Sequence, residues 1–236
     1  MFEEISRYTL NLIFLLDTSS SMTGERIDHL NAAMDEVVRI AEEATKEQEV
    51  QLRMRVIQFS STAQWIFGNT DHGVEHIDWI PLVAGGTTDT AGAIDLARSV
   101  MHRKFLGEIN YRPVVILVTD GQSNDPVATC NAIARLKSSF NSSKDVIIRI
   151  AIGVGNAHDP SELTAFASVG HIESGDGLKE NVPLVFNVDD INSLENFLKC
   201  VTVSSIYMNT IEDNGEYKPM VCLEFLEECD DWAWEE

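Results

Sequence analysis

Leu12-Ile13-Phe14-Leu15-Leu16-Asp17-Thr18-Ser19-Ser20-Ser21-Met22 is the stretch on which the fold turns. Five consecutive apolar residues without polar alternation fit a strand covered on both faces, as strands of parallel sheets are. Asp17 stands at its carboxyl end, and Ser19 and Ser21 follow at alternate positions. That spacing puts one carboxylate and two hydroxyls on one loop, all oxygen donors of the kind a hard cation prefers. Asp and Ser are equally at home as caps of the helix that follows. The stretch alone carries both readings.

Outward from it, strand and helix alternate. Ile27, Leu30, Met34, Val37, Val38 and Ala41 recur at three- and four-residue steps and predict a helix from 24 to about 45. Residues 51–59 and 63–67 read as two strands close enough to form a hairpin around Ser60, Ser61 and Thr62. Gly85-Gly86-Thr87-Thr88-Asp89-Thr90 opens a helix expected to reach about 106. Val114-Val115-Ile116-Leu117-Val118-Thr119-Asp120-Gly121 then repeats the first pattern, a continuous apolar run ending in an acid. Pro126 fits the first turn of a further helix. Residues 145–153 predict another buried strand, 160–168 a short helix, 184–188 a short strand and 190–206 a last helix. Such alternation defines an α/β class with a mostly parallel sheet.

The charge balance narrows the partners. A net charge of −21 over 236 residues repels both a nucleic-acid backbone and an anionic membrane surface. No run of about 18 apolar residues predicts a transmembrane span. Met1-Phe2-Glu3-Glu4 lacks the basic start of a secretory leader. Cys130, Cys200, Cys222 and Cys229 are scattered without C-x-x-C spacing, and Cys130 and Cys200 read as small core residues. A reducing, cytoplasmic setting is the expectation.

From about 209 the texture changes. The last 28 residues hold ten acids against the single Lys218, interleaved with Val221, Leu223, Phe225, Leu226, Trp232 and Trp234. The expected division is a domain over 1–208 and an acidic-aromatic extension over 209–236. The extension reads as an added strand or helix packed on the domain, or as a segment docking on a partner.

In open α/β sheets ligands bind beyond the carboxyl ends of the strands, where strand order reverses. Asp17 and Asp120 are two acids delivered there from two strands, joined by the hydroxyls of Ser19, Ser21 and the Thr88 loop. No His or Cys lies nearby, which disfavours zinc and copper and favours Mg²⁺, Mn²⁺ or Ca²⁺.

Asp17-Thr18-Ser19-Ser20-Ser21, the threonine at Thr88 and Thr119-Asp120-Gly121 resemble the three parts of the metal-ion-dependent adhesion site (MIDAS) of von Willebrand factor A domains. They stand in the family's order, over roughly residues 8 to 206. The resemblance implies a doubly wound, six-stranded Rossmann-like sheet of order 3-2-1-4-5-6, its third strand antiparallel, with helices on both faces. It further implies that Ser19 and Ser21 bind the metal, Mg²⁺ by preference, directly. Thr88, taken over Thr87 for its spacing from the next helix, would bind directly or through water, and Asp17 and Asp120 mostly through water. Such a site is a protein-interaction module, completed by a Glu or Asp of the partner.

Enzymatic readings fit less well. An aspartyl phosphatase of the haloacid-dehalogenase type uses D-x-D, and Ser19 replaces the second acid. There is no G-x-x-x-x-G-K-[ST], no G-x-S-x-G and no histidine with a placed catalytic role. The expectation is a non-enzymatic binding module, with a metal-dependent phosphohydrolase or a metal-independent scaffold as alternatives. Within the family the chain resembles bacterial TerY-type stress and tellurium-resistance proteins, which implies an intracellular complex with a phosphatase or kinase of the same system. Glu227, Glu228, Asp230 or Asp231 of the extension could also cover the metal in cis.

Overall fold

The computed structural model describes residues 8–47, 50–68, 77–101, 112–139, 147–173, 179–188 and 193–208. In chain order the elements are β1 (Tyr8–Asp17), a 3-10 turn (Ser20–Met22), α1 (Glu25–Glu47), β2 (Val50–Phe59) and β3 (Ala63–Phe67). They continue with α2 (Thr90–Arg98), β4 (Val114–Thr119), α3 (Pro126–Lys137), β5 (Ile148–Val154) and α4 (Pro160–Phe166). Last come β6 (Val169–Glu173), β7 (Lys179–Pro183), β8 (Val185–Val188) and α5 (Ser193–Met208).

β1 is the spine. Leu12, Ile13, Phe14, Leu15 and Leu16 are all fully buried, as an apolar run between two helical layers must be. β1 runs parallel to β2, with Asp17 opposite Phe59, and parallel to β4, with Leu16 opposite Val118. The six-stranded sheet has the order β3-β2-β1-β4-β5-β8, and only β3 is antiparallel to its neighbour. Strand order therefore reverses between β1 and β4, the two strands that end in Asp17 and Thr119-Asp120. α1 packs with α5, while α2 packs with α3 and α3 with α4. The α1 stripe expected from spacing, Ile27, Leu30, Met34, Val37, Val38 and Ala41, is the buried one.

Several elements differ from expectation. The antiparallel hairpin β6–β7 is absent from the sequence reading because Val169–Glu173 and Lys179–Pro183 carry Gly170, Pro183 and charged residues in place of strand alternation. It separates β5 from β8, so the sixth position of the sheet belongs to the eighth strand. α2 ends at Arg98, where the Ser99 hydroxyl donates to the Leu96 carbonyl at 2.6 Å, well before 106. β5 begins at Ile148, and residues 140–146 lie outside the described residues. Cys130 is exposed, because α3 buries Thr129, Ala132, Ile133 and Leu136 and turns Cys130 to solvent. The extension at 209–236 lies outside the described residues. Among the described residues no helix is long and apolar enough to cross a membrane.

Phe14 is fully buried at the centre of β1. Phe14→Ala is expected to cost about 3–5 kcal/mol of stability, read as a lower urea midpoint with an unchanged slope.

Candidate metal centre

The site begins where β1 leaves the sheet. Asp17 is fully buried there; its Oδ1 accepts the Ser19 N–H at 2.8 Å and its Oδ2 accepts the Thr119 hydroxyl at 2.6 Å. The chain then closes a 3-10 turn, Met22 N–H donating to the Ser19 carbonyl at 3.1 Å, with the Met22 side chain sunk in the core as its anchor. This turn brings the Ser19 and Ser21 hydroxyls within 2.9 Å of each other. The Ser21 hydroxyl donates to Asp120 Oδ1 at 2.6 Å. Its only proton is thereby committed, so Ser19 is the donor to Ser21. Both hydroxyl oxygens keep lone pairs for a cation.

The 85–89 loop is stitched to this turn through its backbone. Gly86 has φ +88, and a side chain there would collide with Ser61 Oγ, 2.5 Å from an ideal Cβ. In that conformation the Gly86 carbonyl accepts both the Ser20 N–H at 3.0 Å and the Ser20 hydroxyl at 2.8 Å. Gly85 N–H donates to the Thr18 carbonyl at 2.8 Å, and Asp89 N–H to the Ser60 carbonyl at 2.7 Å. Asn124, just past β4, clamps Thr88 from the other side: Oδ1 accepts the Thr88 N–H at 3.0 Å and its own N–H donates to the Thr88 carbonyl at 2.9 Å. Its Nδ2 donates to Thr87 Oγ1 at 2.8 Å, so the Thr87 hydroxyl has a partner while Thr88 is the buried threonine of the pair.

Asp17, Ser19, Ser21 and Asp120 thus form one continuous hydrogen-bonded chain across the ends of β1 and β4. The Thr88 backbone is bonded to Asn124, outside that chain. Among the described residues no three His, Cys, Asp or Glu side chains cluster as a metal site, so the donor set depends on hydroxyls. His158 is buried, its ring against Gly153, the residue that pairs with Thr119 on the neighbouring strand.

Electrostatically the site sets two buried carboxylates, Asp17 and Asp120, against the guanidinium of Arg26. Burial pushes the Asp17 carboxyl above the ordinary aspartate range; hydrogen bonds from Thr119 and Ser19 pull the other way, and neighbouring Asp120 adds to the rise. Asp120 is fully buried and takes an ion pair from Arg26, whose Nη1 also donates to the Ser21 carbonyl at 3.2 Å. A buried pair of carboxylates and free hydroxyl lone pairs fit a divalent cation with oxygen ligands, and the guanidinium on Asp120 shows that one of these acids attracts a cation.

Two contributors escape a reading of the motif residues, and Thr119, within the motif, has a role the motif does not state: its hydroxyl holds Asp17. Of the two, Arg26 carries a signal: a cation in the first turn of a helix opposes the dipole and calls for an acidic partner. Asn124 has no sequence signal, since its role exists only once two loops meet.

Fold and site together define an α/β domain with a hydroxyl-and-carboxylate crevice at its topological switch point. The family model of the von Willebrand factor type A domain matches residues 11–199, and the chain belongs to that family. Proximal thread matrix protein 1 from the mussel byssus, solved with a zinc-occupied MIDAS motif, is similar at TM-score 0.57 and 22% identity over 85% of this chain and 46% of that one. A von Willebrand factor type A protein from Catenulispora acidiphila matches at TM-score 0.58 and 18% identity, over 85% and 43% of the two chains. The ArnB paralogue VWA2 from Sulfolobus acidocaldarius matches at 0.53 and 17%, over 83% and 45%. The chain spans less than half the length of each, and the likeness is one of fold.

A carboxyl raised above its unfolded value holds its proton more tightly in the folded state. Its contribution to stability is greatest at low pH and falls as pH rises from the ordinary aspartate value through the folded one. In metal-free protein Asp17→Asn is therefore expected to raise the melting temperature at pH 7, with the gain vanishing below about pH 4. Thermal melts across that range check it.

Proposed function

We propose that this domain is a metal-dependent protein-binding module. Asp17, Ser19, Ser21, Thr88 and Asp120 would hold one divalent cation, Mg²⁺ by preference, to which a partner protein contributes a Glu or Asp. The observation that carries the reading is the directed chain from Ser19 to Ser21 to Asp120. Each hydroxyl gives its proton away within the protein and keeps a lone pair for a cation, while the carboxylates orient the hydroxyls from behind. When bound, the cation supplies positive charge incompletely balanced by neutral ligands, which a partner's carboxylate can complete.

An aspartyl nucleophile is the weaker reading. Asp17 is fully buried and both of its oxygens already accept hydrogen bonds. Its loop bears Ser19 where a D-x-D motif would place the general acid. The placement beside TerY-type proteins, with a cytoplasmic stress complex and a phosphatase or kinase as partner, rests on resemblance alone. The zinc occupancy of the mussel protein's motif brings Zn²⁺ into the test beside Mg²⁺ and Mn²⁺.

Calorimetric titration of these three ions into metal-free protein is expected to show one saturable site, weakened about 10–100-fold by Asp120→Ala. A glutamate-containing peptide should then bind the metal-loaded protein and not the metal-free one. Absence of metal binding, or binding that Asp120→Ala leaves unchanged, overturns the proposal in favour of a metal-independent scaffold.

A further inference from the structure

The acid at the end of β4 already has a cation. Arg26 is the second residue of α1, following Glu25 in the first turn. It folds back over the 3-10 turn, giving Nη1 to Asp120 Oδ2 and to the Ser21 carbonyl. Its Nη2 passes the backbone at Gly155, just beyond β5, where an added Cβ would stand 3.3 Å from it. The guanidinium therefore reaches from the β1 loop across the end of β4 to the end of β5. The Arg26 side chain is 36% exposed, whereas Asp120 is wholly buried. A positive side chain in a helix's first turn faces an unfavourable dipole, so the acid is what holds it there.

We infer that Arg26 is a resident counter-cation that sets the affinity of this site for metal. This rests on the metal-binding reading above. In metal-free protein Arg26 offsets the charge of Asp120, with Asp17 nearby. The oxygen it holds belongs to the ligand set, and its charge repels any cation entering the crevice. Metal uptake has to displace the guanidinium or bind against it, so affinity lies below what the oxygen donors alone would give. Arg26 acts here as a positioning residue for Asp120, and it is released or strained whenever the site fills.

The test compares wild type, Arg26→Gln and Arg26→Lys by Mn²⁺ calorimetry, with thermal melts in EDTA as a second readout. Removing one positive charge a few ångströms from a divalent ion is expected to tighten Mn²⁺ binding by about tenfold or more in Arg26→Gln. Arg26→Lys should stay near wild type. In EDTA, Arg26→Gln should melt below wild type, and added Mn²⁺ should raise its melting temperature by more than it raises that of wild type. A purely structural role for Arg26 would lower the EDTA melting temperature and leave Mn²⁺ affinity equal or weaker, which overturns the inference. If Arg26→Gln binds Mn²⁺ like wild type, the counter-cation role fails and the metal centre stands. If no variant binds Mn²⁺, the metal centre itself fails and the inference with it.

Discussion

Two carboxylates without solvent exposure face the crevice between β1 and β4, and the rest of the site is arranged around that constraint. Removing a carboxylate from water is costly unless hydrogen bonds or an opposite charge replace the lost hydration. Asp17 is served by neutral donors, the Ser19 N–H and the Thr119 hydroxyl. Asp120 is served by the Ser21 hydroxyl and by Arg26. These contacts dictate the loop geometry. Ser19 must turn its N–H inward, Ser21 must reach across to the next strand, and Thr119 must close the gap from the side.

The fold supplies what the loops cannot. An open sheet has one place where neighbouring strands send their chains to opposite faces, and here that place is between β1 and β4. The loop after β1 turns into α1 and the loop after β4 into α3, leaving their acids to meet across the Ser19, Ser21 and Thr119 hydroxyls. Gly86 and Asn124 then draw in the 85–89 loop through backbone hydrogen bonds. Placement by backbone is stiffer than placement by long side chains. A site with few ligating groups of its own needs that stiffness.

How much of this was legible depended on whether a feature is local. Leu12–Leu16 and the 114–118 run declared buried strands because their burial on two faces erases alternation. Asp17, Ser19, Ser21 and Asp120 could be gathered from sequence because each lies at the end of such a strand. Thr88 needed the resemblance, since two adjacent threonines differ only once the loop is folded. The β6–β7 hairpin was illegible, being short and polar and paired only with itself. Cys130 was misplaced because an apolar neighbourhood in sequence does not say which side of a helix faces the core. Asn124 and the reach of Arg26 are tertiary facts, made by loops that are far apart in the chain.

With a divalent cation in the crevice, overall charge and local charge would point in opposite directions, and the difference in range explains how both could operate. The chain's −21 acts at long range and is screened over about 10 Å in moderate salt. It therefore discourages polyanions and random acidic partners. Within the crevice the field comes from a few groups at contact distance, where screening is weak. Three of the five proposed ligands are neutral hydroxyls, and both acids take part of their balance from protein donors. A divalent cation placed among them would keep much of its charge, and the acid it attracts would have to come within contact distance to feel it. Such a surface would reject acids in general and accept one that reaches a single point. That selectivity would follow from the hydroxyl content of the donor set. Replacing Ser19 by a second carboxylate, as in a D-x-D motif, would offset the cation's charge locally and remove the reason for a partner to bind.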